Sequence, residues 1–387
     1  MQLENYGALR LVGRNGLISY LRKHVQDPRR KQGTRFPAHP MIIACALAVL
    51  AGASTFAGIW HWISTREKNF MVGLGFFRRY RMSEPAIRRL LNRVNPDEVE
   101  KALSEWLSAQ RPGGMAGKAI AVDGKTLRAS RSGNIPAVHL ISAVLHDTGV
   151  TIAQKRVDSK SNEITAVNPL LRDLNIEGSV ISLDAIHTQD ETARFIVKEK
   201  KADYLMTVKE NRKNLRDDII NTMDLKKNLQ TYTQTDKGHG RLETRQIWTC
   251  KAEGGVVADF PFSNQIFCIE RTIIKTISNI SSTEVVYGIT SLSETRAGAE
   301  RILAINRGHW TIENQSHYVR DVTFDEDRCR ARTNSGPQLL AALRNTAIGT
   351  FRLLGVSNIA AGVREVSWMN GRSLLNLLGK AGPGVRA

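Results

Sequence analysis

The chain has 387 residues, 42% hydrophobic and 24% charged, the composition of an ordinary globular protein long enough for two or three domains with ample core. Lys and Arg outnumber Asp and Glu by 55 to 37, a net charge of +18, so the fitting partner is itself polyanionic, and duplex DNA is the commonest such partner. Cys45, Cys250, Cys268 and Cys329 lie far apart with no C-x-x-C pair, which argues against a disulfide framework or a cysteine zinc site and points to a reducing cytosol.

The first residues, Met1-Gln2-Leu3-Glu4-Asn5-Tyr6, lack the basic-then-apolar shape of a secretory signal. A cytoplasmic, nucleoid-associated protein is expected. Leu9 to Val25 is amphipathic and reads as helix, followed by a basic loop from Asp27 to Gly33. Phe36 to Thr65 holds no charged residue, and Met41 to Trp60 is long enough to span a bilayer. Its Ala and Gly content, with Ser54 and Thr55, favours a buried helix or a helix pair broken near Gly52–Ser54, with no membrane partner. Phe76 to Met82 is basic with interleaved aromatics. Ser83 and Pro85 then open a helix that carries Arg88, Arg89 and Arg93 opposite Ile87, Leu90, Leu91 and Val94. A further helix runs from Pro96 to Leu107. Residues 1–110 hold 17 Lys and Arg against 8 Asp and Glu, half of the net charge in under a third of the chain. Residues 1–112 are therefore expected to form a helical, basic, DNA-contacting domain, closed by the linker Arg111-Pro112-Gly113-Gly114.

Strand patterns follow. Ala119–Val122 and Val138–Leu145 are rich in branched residues, and His146-Asp147-Thr148-Gly149 is a hairpin signal before a third strand, Val150–Val157. A helix is expected from Glu163 to Leu174, kinked or divided at Pro169, then a strand at Val180–Leu183, a helix at Thr192–Lys200 and a strand at Tyr204–Val208. The order β-β-β-α-β-α-β matches an RNase H-like mixed sheet, in which the first and fourth strands are neighbours. After a helix from Arg212, strands at Thr231–Gln234, Thr244–Cys250 and Gln265–Glu270 form a β-rich insertion at about 210–282, and a strand at Glu284–Ile289 leads back to the core. Helix resumes near Gly298, runs past Glu313, and returns in a tail from Pro337 to Leu378 broken near Gly355 and Gly371. The fold class is α/β, with a catalytic region at 113–335 and a helical C-terminal region at 336–387.

Three acids fall where such a sheet gathers them. Asp123 ends the first strand run, Asp184 ends the fourth, and Glu313 lies in the helix Asn306–Asn314. Two carboxylates at strand ends and a third on a helix can hold two divalent ions about 4 Å apart, the geometry of phosphodiester displacement. Taken singly, Asp123-Gly124-Lys125 is also a common turn, and Asp184 is also a helix cap. On a helix, Asn306, His309, Glu313 and Arg320 share a face, with His317 close to it. The other readings of that face are an exposed polar stripe or a zinc site from His309, Glu313 and His317, which lacks a further Cys or His to complete it. Magnesium takes oxygen ligands, keeps several waters, and needs no nucleophilic Ser or Cys.

These motifs resemble the DDE-type transposases of bacterial insertion sequences, in the branch that includes the H-repeat-associated proteins of Rhs elements. The carriers are Asp27-Pro28-Arg29-Arg30, Ala121-Val122-Asp123-Gly124-Lys125, Leu183-Asp184-Ala185 with His187-Thr188-Gln189, Val208-Lys209-Glu210-Asn211, Gly308-His309-Trp310-Thr311-Ile312-Glu313-Asn314, and Asp321-Val322-Thr323-Phe324 with Glu326-Asp327 and Arg330. The resemblance implies that Asp123, Asp184 and Glu313 are catalytic and bind two Mg²⁺ ions, with Mn²⁺ as a substitute. It implies strand cleavage at inverted-repeat ends, transfer of the 3′-OH into target DNA, and a homodimer on duplex DNA. Where related families carry Tyr, Arg, Glu and Lys on the Glu helix, this chain has Asn306, His309, Glu313 and Arg320. The expected DNA contacts are Lys125, Arg128, Lys209, Asn211, Arg212, His309, Trp310 and Arg320, with Arg88, Arg89 and Arg93. The alternative is a catalytically inactive DNA-binding relative, a degenerate transposase or repressor.

Overall fold

The computed structural model describes residues 16–374, apart from 31, 33, 78–79, 112, 158–162, 227–228, 239, 279 and 372. Six helices come first: α1 (Leu17–His24), α2 (Ala38–Leu50), α3 (Phe56–Ser64), α4 (Lys68–Gly73), α5 (Glu84–Leu91) and α6 (Pro96–Ala109). The start of the expected Leu9–Val25 helix lies outside the described residues, as do Arg78 and Arg79. The uncharged stretch folds as a helix pair. Gly52, at φ +95°, ends α2, and the Thr55 side chain accepts from the Gly58 N–H to cap α3. α2 is buried on nearly every side, which is why it shows no amphipathic stripe. Among the described residues, no helix is long and apolar enough to cross a membrane.

Nine strands follow: β1 (Ala119–Leu127), β2 (Val138–Leu145), β3 (Thr151–Val157), β4 (Val180–Leu183), β5 (Asp203–Val208), β6 (Gln230–Gly238), β7 (Arg241–Lys251), β8 (Gln265–Lys275) and β9 (Ser281–Thr290). They form one mixed sheet in the order β3-β2-β1-β4-β5-β9-β8-β7-β6. The remaining helices are α7 (Glu163–Leu171), α8 (Asp190–Arg194), α9 (Lys213–Leu225), α10 (Gly255–Asp259), α11 (Ala299–Gly308), α12 (Tyr318–Val322), α13 (Gly336–Leu353) and α14 (Ile359–Trp368). Pro169 stays inside α7, and α8 runs on into a π-helical turn, Phe195–Glu199. The strands expected as an insertion extend the main sheet, because β9 pairs antiparallel with β5 from Leu205↔Thr290 to Val208↔Tyr287.

One face of the sheet packs Ile120, Val122, Ile181 and Met206 against Val167 of α7, Ala193 of α8 and Ile219 of α9. The other sets Val180, Leu205, Ile247, Phe267 and Ile269 against Ile302 and Leu303 of α11. This second face is the one that Asp123 shares, through Ala121 and its β4 partner Ser182. The N-terminal helices and α13 and α14 meet in a common core: Leu47, Leu90, Leu103 and Trp106 pack in the cluster that holds Leu339, Leu343, Phe351 and Val366.

Strand one is longer than its apolar run. Asp123, Gly124 and Lys125 pair with Ser142, Ile141 and Leu140 of β2, so this segment is strand and not turn. The parallel pairing with β4 stops at Val122↔Leu183. Asp123 and Asp184 therefore stand at the same level, where β4 leaves the sheet.

Candidate active site

Asp123 comes from β1, Asp184 from the residue after β4, and Glu313 from a π-helical turn, Ile312–His317, that follows α11. Carboxylate oxygens of Asp123 and Glu313 and a ring nitrogen of His317 all lie within 4.8 Å of one another. His317 Nδ1 is 3.5 Å from Glu313 and 3.8 Å from Asp123. Asp184 is outside this trio but close enough for its charge to act on Asp123. Burial first, then the charges of Glu313 and Asp184, push the Asp123 carboxyl up to about 8, with the Gly124 N–H opposing. Hydrogen bonding from His317 holds Glu313 down to about 2. Two carboxylates drawn together beside an imidazole nitrogen, Asp123 and Glu313 with His317, fit a divalent cation by both donor type and unmet charge.

The π-helical turn changes what the sequence spacing implied. An extra residue in a turn rotates everything after it by about 100°. His317, close to the stripe in the sequence, is 4% exposed and lies beside both Glu313 and Asp123. Arg320 is wholly buried: its Nε donates to Glu326 at 2.8 Å and its Nη1 to Gln154 at 3.2 Å. It is thus removed from the expected DNA contacts. His309 lines the cavity beside Asp184, with its Nδ1 2.9 Å from Ser182 Oγ, and burial lowers its pKa. The same Oγ is 2.9 Å from His146 Nε2, whose ring burial pushes down to about 4. One hydroxyl has one proton, so Ser182 donates to at most one ring and accepts from the other. A zinc trio of His309, Glu313 and His317 does not form; Asp123 takes the place of His309.

The other candidates are scattered around this centre. Lys125 is tied to Asp321 at 2.6 Å and is 11% exposed. Arg128 is 82% exposed and lies 3.7 Å from Asp327. Lys209 and Trp310 line, with Asp184, a cavity of about 530 Å³. Asn211 donates to the Ala185 carbonyl at 2.7 Å, and Arg212 pairs with Asp190, so both brace the loop after Asp184. Arg88, Arg89 and Arg93 are exposed on and just beyond α5, with Arg88 paired to Glu84.

A support the sequence gave no signal for lies under Gly124. Glu163, at the start of α7, holds His139 at 2.7 Å and His187 at 3.2 Å, and His139 Nδ1 is 2.9 Å from Thr126. Burial opposes the Glu163 charge, yet the two imidazoles hold its carboxyl down to about 2. A Cβ on Gly124 would stand 2.4 Å from Glu163 Oε1 and 2.7 Å from His139 Nε2, so only glycine fits above this cluster. His187 was visible in sequence as part of the Asp184 motif. Glu163 and His139 belong to no pattern.

Comparison with known families decides the class. The family described as Transposase DDE domain matches residues 115–349, and one described as DDE_Tnp_1-associated matches residues 20–107. The chain is a DDE-type transposase by family. YbfL of Escherichia coli K12 is 30% identical over 336 residues, covering 84% of this chain and 87% of that protein. The H repeat-associated protein YhhI of the same strain is 29% identical over the same shares. Among solved structures, a piggyBac transposase synaptic complex with hairpin DNA aligns over 95% of this chain and 83% of that one, at 13% identity and TM-score 0.43. The DDE family uses divalent metals, and the matched region spans all three acids.

Proposed function

We propose that this DDE transposase cuts DNA at the ends of a mobile element and joins the freed 3′-OH to target DNA, with Asp123, Asp184 and Glu313 as its metal-binding and catalytic acids. The observation that carries the reading is the meeting of Asp123, Glu313 and His317 from segments 190 residues apart in sequence, beside Asp184, the residue that follows the adjoining parallel strand. In this reading β1 to β5 with α7 and α8 are an RNase H-like core, and residues 113–335 are the catalytic region. Asp123, which neighbours both Glu313 and Asp184, would with those two acids hold two Mg²⁺ ions, or Mn²⁺. Bound divalent ions would supply a nucleophile at neutral pH and neutralise charge on the leaving oxygen. The chain's residues do the rest. His317 fixes the Glu313 carboxylate, and the Glu163 cluster holds the β1 backbone under Asp123. The hydrogen-bonded chain His146–Ser182–His309 sets the end of α11 against β4. Duplex DNA is the partner, and pairing two element ends calls for a dimer.

The test is strand cleavage of a duplex carrying the inverted repeats that flank the gene, with Mg²⁺. D123A, D184A and E313A should each lower cleavage about a thousandfold or more, a loss of several kcal/mol in transition-state stabilisation, while DNA binding is kept. A variant that cuts at the normal rate removes that acid from the mechanism.

A further inference from the structure

The active-site face does not end at Asp184. Beyond α11 it continues over β9, β8 and β7, and there it changes from apolar to cationic. Arg241, Glu243 and Arg245 alternate on β7 and so share one face, and Arg271 stands directly opposite Arg245 on β8. Glu243 is 8% exposed at its side chain and is gripped by Arg245 at 2.5 Å, by Arg271, and by Arg241 at 3.6 Å. Arg307, at the end of α11, joins through Asp236 at 2.9 Å. All four arginines line the cavity that also holds Asp184, Lys209 and Trp310.

The charge does not balance. Five cations, Lys209, Arg241, Arg245, Arg271 and Arg307, meet four acids, Asp184, Glu243, Asp236 and Glu284, and on the side away from Asp184 the five face only three. Burying Glu243 among guanidiniums returns little net stability, since desolvation offsets the attraction. What it does provide is orientation, because a carboxylate between planar forks fixes each fork before anything binds. Arg241 and Arg307 keep 45% and 43% of their side chains exposed while lining the cavity, so both remain open to a ligand there. Excess positive charge, rigidly held and opening beside a catalytic acid, suits an anion that reaches the acids from that side.

We propose that this arginine fan, organised by Glu243, is a phosphodiester-backbone subsite that holds the DNA strand on the β9–β6 side of the scissile bond. It deepens the transposase reading, on which it rests only for the identity of the polyanion. Binding without chemistry tests it. The probe is a fluorescently labelled duplex of arbitrary sequence, read by anisotropy in EDTA between about 50 and 200 mM salt. R241A/R307A should make the slope of log K against log salt shallower by close to two units, at about 0.9 per lost phosphate contact. The control R194A/K198A removes the same charge from exposed positions on α8 and the turn after it, across the sheet. Its slope should change by less than about half a unit. R241K/R307K keeps the charge and should stay near the wild-type slope, which guards against a folding artefact. Equal slope changes in the groove and control variants would overturn the proposal. A wild-type protein that binds but never cuts with Mg²⁺ would sink the transposase mechanism and leave this comparison readable.

Discussion

Asp123 carries the largest unmet electrostatic demand among the candidate acids. Burial and two neighbouring carboxylates disfavour its charge, and only the Gly124 N–H favours it. A divalent ion relieves all of these at once, so metal binding should appear as stability. At a metal concentration a hundred times Kd, the wild type should gain about 2.7 kcal/mol, read as a rise in melting temperature with Mn²⁺ or Mg²⁺. D123N, neutral and nearly isosteric, should melt higher than the metal-free wild type and show little further rise. If metal raised the melting temperature of D123N as much as that of the wild type, Asp123 would not be a ligand. The partner in this trio, His317, was visible in sequence only as a residue near a stripe. Its approach to Asp123 depends on how the turn that carries it packs on β1, and a local pattern does not encode that.

At the scale of elements, β1 decides whether the acids meet. Its apolar run was legible as a strand, but its continuation through Asp123-Gly124-Lys125 was not, because those residues are common in turns. The reason is tertiary. β2 offers eight residues of antiparallel partner, and pairing carries the strand through Leu127. Gly124 is then required by what lies beneath, the Glu163–His139–His187 cluster. G124A should lower the urea midpoint by an amount equal to roughly 2–4 kcal/mol and should reduce cleavage, since β1 or the cluster must shift. Full stability and full cleavage in G124A would show that the strand has slack there.

At the scale of the molecule, a buried polar network ties the ends of the chain to the catalytic sheet. Glu326 accepts from Arg320 of α12 and, at 2.9 Å, from Arg344 of α13, and Arg344 reaches the Ser54 carbonyl at 2.9 Å. Gln154 of β3 accepts from Arg320 and Asn345 and donates to Glu100 of α6 at 2.5 Å. Burial pushes the Glu100 carboxyl from 4.5 up to about 8. The folded protein therefore keeps a proton that the unfolded chain gives up above about 4.5. Stability from this group is complete below that pH and is lost as pH rises toward 8. E100Q mimics the protonated form. It should flatten that slope and be more stable than the wild type at pH 8 by an amount on the order of 1–3 kcal/mol, read by denaturant titration across pH. Parallel pH profiles for the two proteins would mean that Glu100 is charged in the fold.

The sequence by itself determined what period and composition can carry: the basic charge, the helical start, the break in the uncharged helix pair, the first five strands in order, and the family through motifs kept in line. It also named the three acids, because each sits at the end of an apolar run or within a contiguous motif. Only the tertiary structure decided that four later strands extend the same sheet, that Arg320 turns inward, that His317 joins Asp123 and Glu313, that Glu163 gathers two imidazoles under Gly124, and that Glu243 gathers arginines along the cavity of Asp184. Local patterns report which face of an element is apolar. Which distant side chains share a buried charge is set by packing between elements, and that leaves no period in the chain.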